Sequence, residues 1–262
     1  TETVGSAGLR QRLQRVIECR YIRHADVVSV VNESIAQWYR EAYPGVDPVV
    51  VTNAPTGAEG VIDLRAQLEI PEGALLYLHS GYLAPGRNIP LILRTFGQVT
   101  SAHVVFVGAG TLLPEVERAA AAHPNIHRLP PVEPDQVLAM TRGADVALCL
   151  IESRCLSHRM STPNKMMEAF AAGVPALCSP LSEARRYLGD QADTWVLEDP
   201  ERDLAGALES ITREDIEAFT TPTIPTWEEG AARLREAYER ALTARARRTY
   251  SPLKRPLKRP HQ

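Results

Sequence analysis

Lys165 and Glu168 stand three positions apart in the segment STPNKMMEAFAAGVP, residues 161–175. On a helix that spacing puts both side chains on one face. Thr162 suits a capping position, Pro163 suits the first helical position, and Gly173 with Pro175 supplies the stop. Met167, Phe170 and Ala171 then fall on the core side. Lys165 is expected in the first turn, where the helix dipole disfavours an ammonium by ~0.3–1 kcal/mol. A bound diphosphate reverses that sign, so the pair suits anion binding; the competing reading is a solvated Lys–Glu pair. The chain has 26 arginines and three lysines, and Lys165 is the only lysine before the C-terminal tail. Two glycine turns add to this. One is Ser80-Gly81-Tyr82 with Gly86-Arg87-Asn88; the other is Gly108-Ala109-Gly110-Thr111. Glycine lets backbone approach a ligand closely, and a helix start offers free N–H groups to an anion. The second turn departs from a dinucleotide fingerprint. Leu113 takes the third glycine position, and the next strand ends in IHRLPP without an acidic residue.

These residues need a scaffold, and the sequence supplies an alternating one. Helices are expected at Arg10–His24 and Ser34–Tyr43, with strands at Val27–Val31 and Val49–Thr52. After NAPTGAEG (53–60) the pattern restarts, with strands at Leu75–His79, His103–Val107, Ile126–Leu129, Asp145–Ile151, Ala176–Ser179 and Thr194–Leu197. Helical stretches lie between and after them. Apolar strands bounded by helices predict a doubly wound parallel α/β sheet covered on both faces, with a partial second α/β unit at the N-terminus. The domain reading is 1–54 as the end of a second α/β unit, 55–66 as linker, 67–243 as a Rossmann-like domain, and 244–262 as a disordered basic tail. Trp227, Ala231, Leu234, Tyr238 and Ala241 form one helical face needing a partner surface. In a doubly wound sheet a ligand sits beyond the carboxyl ends of the strands, where both glycine turns and the lysine segment fall.

Composition narrows the function classes. The 262 residues carry 29 basic and 32 acidic side chains, and residues 244–262 hold seven basic residues and no acidic one. The remaining body is acidic, which excludes general nucleic-acid binding. The tail, with PLKRPLKRP, is open to weak peripheral contact with an anionic membrane. No apolar stretch approaches the ~18–20 residues of a membrane span, and the N-terminus has no apolar signal core, so the reading is a cytoplasmic protein. Cys19, Cys149, Cys155 and Cys178 lack metal-ligand spacing and are expected to be buried thiols.

The strings GYLAPGRNIPLIL, VVFVGAG, ADVALCLI and TPNKMMEAFAAGVPALCS together resemble the donor half of retaining GT-B glycosyltransferases of the large group-1 type. HADVVSVVNES and VVVTNAP resemble the end of those enzymes' acceptor domain, and TWEEGAARLREAY the helix that crosses back to it. The resemblance implies a donor site for a nucleotide-diphosphate sugar. Lys165 and Arg87 would meet the diphosphate and stabilise the leaving group. Glu168 would take the ribose hydroxyls. Gly81, Tyr82, Gly108, Gly110 and Asn164 would lie along sugar and phosphates, with His127 and Leu129 facing the base. No metal or other cofactor is implied, since cationic side chains carry the charge. The acceptor would be a sugar, lipid or glycan, and the donor half would be a fragment of a full enzyme or one completed by an acceptor-domain subunit; the apolar faces left open also allow a homodimer. Two positions depart from the family pattern. The first carboxylate of Glu-x7-Glu is Met160, and the basic residue after the first glycine is Tyr82. Two other readings stay open: a non-catalytic nucleotide-sugar binding module, and a sugar-nucleotide epimerase of the same architecture.

Overall fold

The computed structural model describes residues 4–56, 59–153 and 155–249. These form two bodies. The first takes the described residues up to Val30, Ala36–Val51, and those from Glu228 onward; the second takes Val31–Ile35 and Thr52–Trp227.

In the first body two short parallel strands, β1 (Ser29–Val30) and β2 (Val49–Val50), pair Ser29 with Val49. The N-terminal helix runs Val4–Tyr21, and a tighter turn over Ile22–His24 follows it. Tyr39 donates its hydroxyl to the Glu18 carboxylate at 2.8 Å, and Trp38 packs edge-on against Tyr39 and Tyr43. The last helix runs Trp227–Thr249, into the segment expected to be disordered. ALTARARR contains no proline or glycine, and alanine and arginine are strong helix formers. Residues 250–262 lie outside the described residues. The covered side of this helix overlaps the expected face in part: Ala237 is buried and Ala231, Leu234 and Ala241 are half-buried, whereas Trp227 and Tyr238 are exposed.

The second body holds a five-stranded, wholly parallel sheet. Its strands are β3 (Leu75–Ser80), β4 (Ala102–Val107), β5 (Ile126–Leu129), β6 (Val146–Cys149) and β7 (Ala176–Cys178), in the order β5-β4-β3-β6-β7. Residues alternate between faces. Tyr77, Val104 and Phe106 join a core with Ile92, Phe96 and Phe170, while Leu76, Leu78, Val105 and Val107 join one with Leu64 and Met140. Burial on both faces accounts for the unbroken apolar runs of the central strands. The strand expected at Thr194–Leu197 is reduced to one bridge, between Cys178 and Val196. Ala192–Trp195 instead makes a helical turn that buries the Trp195 indole edge-on against Phe219. Cys149 and Cys178 are buried as expected, but Cys19 and Cys155 are exposed, and all four are free thiols.

The chain enters this sheet at its middle strand, β3, runs outward through β4 and β5, then returns to lay β6 on the other side of β3. That reversal separates the carboxyl ends of β3 and β6 and leaves a crevice between the loops that follow them. Val31–Ile35 braces one wall from behind. The buried Asn32 donates to the Met160 carbonyl at 2.7 Å and to Thr162 Oγ1 at 2.8 Å, and its Oδ1 accepts from the Ile35 N–H at 2.8 Å. Thr162 therefore does not cap the next helix, Asn164–Ala172, which starts after Pro163 without a side-chain cap. Two residues on, Ser34 donates its hydroxyl to the fully buried Glu183 carboxylate at 2.6 Å, while Arg186 donates to the other oxygen at 2.7 Å. Burial pushes the Glu183 carboxyl up, but the Arg186 and Ser34 hydrogen bonds outweigh it and hold the group below the usual carboxylate range.

Candidate functional site

The crevice between β3 and β6 is a cavity of about 650 Å³. Its lining includes Ser80–Gly81–Tyr82 and Gly86–Arg87 from the end of β3 onward, Cys149–Leu150–Ile151 from the end of β6, and Ser161–Lys165 with Glu168 at the start of the helix Asn164–Ala172. A smaller cavity of about 180 Å³ is lined by Pro134, Val137, Leu138 and Asn53–Thr56. Asn164 and Glu168 line both. The sequence thus brings two cations and one carboxylate to a single crevice from positions 87, 165 and 168.

Lys165 is the electrostatic centre. Its Nζ lies 2.9 Å from Nε2 of His79, the penultimate residue of β3. Burial depresses the Lys165 ammonium from its usual range to about 8; Arg87 acts in the same direction, and Cys149 and Glu168 oppose it. Burial raises the Glu168 carboxyl, and Lys165 opposes that shift. His79 is fully buried and held well below the usual imidazole range, by burial first and then by the charges of Lys165 and Arg87. A neutral His79 therefore accepts a hydrogen bond from the Lys165 ammonium. The core side of this helix is Met166, Met167, Ala169 and Phe170. Ala171 is half-buried, and Gly173 closes the helix in the left-handed region at φ 74°.

Not every expected residue reaches the crevice. Tyr82 lines it but is 63% exposed, so the position after Gly81 adds no buried charge. Gly108 and Gly110 do not line it. A Cβ on Gly108 would sit 2.0 Å from the Gly81 carbonyl oxygen, and one on Gly110 would sit 2.2 Å from that of Leu83. They stand where two backbones meet: the Gly81 N–H donates to the Val107 carbonyl at 2.8 Å, and the Leu83 N–H to that of Ala109 at 2.9 Å. The loop after β4 braces the loop after β3. His127 and Leu129 line neither cavity; His127 stacks on His103, with Nε2 of His127 and Nδ1 of His103 3.0 Å apart.

Sequence reasoning missed two histidines. His158 lines the cavity, and its Nδ1 donates to the Glu152 carbonyl at 2.9 Å, leaving Nε2 as the acceptor of the neutral ring. His79 is the other, hidden in an apolar strand. Among the described residues no group of three or more His, Cys, Asp or Glu could hold a metal ion. Among the same described residues no helix is long and apolar enough to cross a membrane.

A Rossmann-like α/β domain with a cationic crevice at its topological switch point is a scaffold for phosphate-bearing ligands. Residues 74–214 match the family model described as glycosyl transferases group 1, and the chain belongs to that family. No curated protein matches the sequence. Several solved structures share the fold. Sucrose-phosphate synthase from Thermosynechococcus elongatus superposes with a TM-score of 0.60 at 16% identity, over 93% of this chain and 65% of that one. S. aureus TarM, solved with fondaparinux, alpha-GlcNAc-glycerol and UDP, gives 0.55 at 12% identity, over 88% and 45%. Anabaena Alr3699/HepE, solved with UDP-glucose, gives 0.54 at 14% identity, over 85% and 64%. The chain thus spans less than two thirds of each of these proteins.

Proposed function

We propose that this chain is the donor-binding half of a retaining GT-B glycosyltransferase, which takes a sugar from a nucleotide-diphosphate sugar. One observation carries the reading: Lys165 and Arg87 meet in a crevice at the switch point, with Glu168 beside them. Bond breaking between the anomeric carbon and the diphosphate leaves negative charge on the leaving group. Fixed cations in a sheltered crevice stabilise that charge more than water does. Lys165 and Arg87 supply two positive charges there, a role that a divalent metal would otherwise take. Glu168 lines both cavities, and in this reading it accepts hydrogen bonds from the ribose, with the nucleoside in the smaller cavity and the sugar in the larger. Met160 supplies no carboxylate to the sugar, and the polar side chains on that stretch of wall are those of His158, Ser161 and Thr162.

Calorimetry tests the assignment. The wild-type chain is expected to bind a nucleoside diphosphate at least about tenfold more tightly than the monophosphate, because the second phosphate gains the charge-assisted bonds. Binding is also expected to take up protons. Free Lys165 titrates near 8, and an adjacent diphosphate raises that value. Affinity is then fully present below the free value and falls as pH rises through it. Titrations near pH 8 in buffers of different ionisation enthalpy read the uptake directly. Zero uptake or proton release would remove Lys165 from the diphosphate site.

Transfer itself needs an acceptor held against the donor, and juxtaposition of two substrates is a large part of the rate. The isolated chain is therefore expected to bind donor but transfer sugar slowly or not at all. Rapid, stoichiometric transfer to a soluble acceptor by this chain alone would contradict the donor-half assignment.

A further inference from the structure

We propose that His79 is a positioning residue for the diphosphate site, acting through Lys165: its Nε2 lone pair anchors the ammonium at the carboxyl end of the central strand. The inference rests on the donor-site reading for its ligand, though one arm of its test does not.

A histidine at the end of a central strand needs a reason. His79 is 1% exposed, stands opposite Phe106 in the sheet register, and lies 5.4 Å from that ring between centroids. Valine or phenylalanine would fill such a position without polar atoms. Of the two ring nitrogens, Nε2 meets Lys165 Nζ at 2.9 Å, and Nδ1 is buried with no partner. An unpartnered buried donor costs stability. That cost is out of place in a packing residue, but it follows if the ring is kept for its other nitrogen. In the neutral ring only one nitrogen carries a proton, so an Nε2 that accepts from an ammonium leaves the proton on Nδ1.

The geometry explains what the anchor does. The Lys165 stem passes Gly81, whose added Cβ would stand 3.5 Å from Lys165 Cε. A lysine side chain has four rotatable bonds and loses up to ~2 kcal/mol of rotamer freedom when fixed. His79 meets that ordering cost in the unliganded protein and holds Nζ between the Gly81 turn and Glu168. The ammonium retains two further N–H donors for an incoming phosphate.

The test uses paired amides. His79→Gln puts a carbonyl oxygen about where Nε2 stands. His79→Asn carries the same amide but stops near Nδ1, short of Lys165. His79→Phe keeps the ring and removes the acceptor. Nucleoside-diphosphate affinity is expected to fall about tenfold in the Asn and Phe variants and to return to within about threefold of wild type in the Gln variant. In a Lys165→Ala background none of the three should matter. An equal loss in that background would show that His79 acts through packing, and so would equal behaviour of the Gln and Asn variants; either result overturns the proposal. A second arm needs no ligand: the titration of Lys165, followed by NMR of the lysine-labelled protein. Removing an acceptor from the charged form lowers its pKa, so the midpoint should fall in His79→Asn and recover in His79→Gln. Arg87, Glu168 and Cys149 stay in place as the other ionisable groups near Lys165. An unmoved midpoint overturns the anchor itself. If wild type binds no diphosphate while the midpoint moves as expected, the donor reading fails and the anchor stands.

Discussion

Lys165→Ala is expected to weaken nucleoside-diphosphate binding about 10- to 150-fold, the ~1.5–3 kcal/mol of a hydrogen bond to a charged partner. Lys165→Arg should not restore it. A guanidinium is planar and larger, and it lacks the compact ammonium that fits between His79 and the helix start. Glu168→Ala serves as the internal contrast. It should weaken nucleosides, monophosphates and diphosphates by similar factors, because its proposed partner is the ribose they share. All three variants should still fold, since neither side chain belongs to the core side of this helix, which is Met166, Met167, Ala169 and Phe170. Calorimetric titration of the four proteins with nucleoside, mono- and diphosphate gives the whole pattern. A Lys165→Ala protein that binds diphosphate like wild type would sink the site assignment.

Gly108→Ala is expected to destabilise the fold by about 3 kcal/mol, at the upper end for overpacking. The added methyl would meet backbone, the Gly81 carbonyl at 2.0 Å, which has no flexible end to move aside. Gly110→Ala should behave alike against Leu83, at 2.2 Å. Either change displaces the loop carrying Gly81 and Arg87, so diphosphate affinity should drop with stability. Gly206→Ala is the control. It sits in the helix Pro200–Ser210 with nothing within 4 Å of an added Cβ, so it should be neutral or stabilise by about 0.4–1 kcal/mol. Urea unfolding of the three variants separates the effects. A Gly108→Ala protein within about 0.5 kcal/mol of the parent would mean that the two loops can part cheaply.

These residues also mark where sequence reading reached and where it stopped. The parallel sheet and the helix Asn164–Ala172 were legible, because apolar runs and a Pro-to-Gly frame are local signals. Lys165 stood out through composition, as the one lysine of an arginine-using body. Gly108 and Gly110 were visible as glycines, but not as partners of Gly81 and Leu83. A glycine turn looks the same whether a ligand or another loop approaches it. His79 was invisible for a different reason. Its partner lies 86 positions away, and only the meeting of a strand end with a helix start turns a core-looking residue into part of a site. Thr194–Leu197 failed through tertiary context. The segment reads as β by composition, yet burying Trp195 favours a helical turn.

The five residues Val31–Ile35 bear on how this protein can be taken apart. Asn32 and Ser34 reach the loop at Met160–Thr162 and the carboxylate of Glu183, yet residues on both sides of them in sequence belong to the other body. The boundary between the bodies is therefore not a point on the chain. A fragment beginning at Thr52 would hold every strand of the large sheet and still lack the brace behind one wall of its crevice. It would leave a buried carboxylate without one of its donors and a crevice-lining loop without its tether. Any dissection that aims to keep the crevice whole has to begin upstream of Asn32, and so must carry part of the neighbouring body with it.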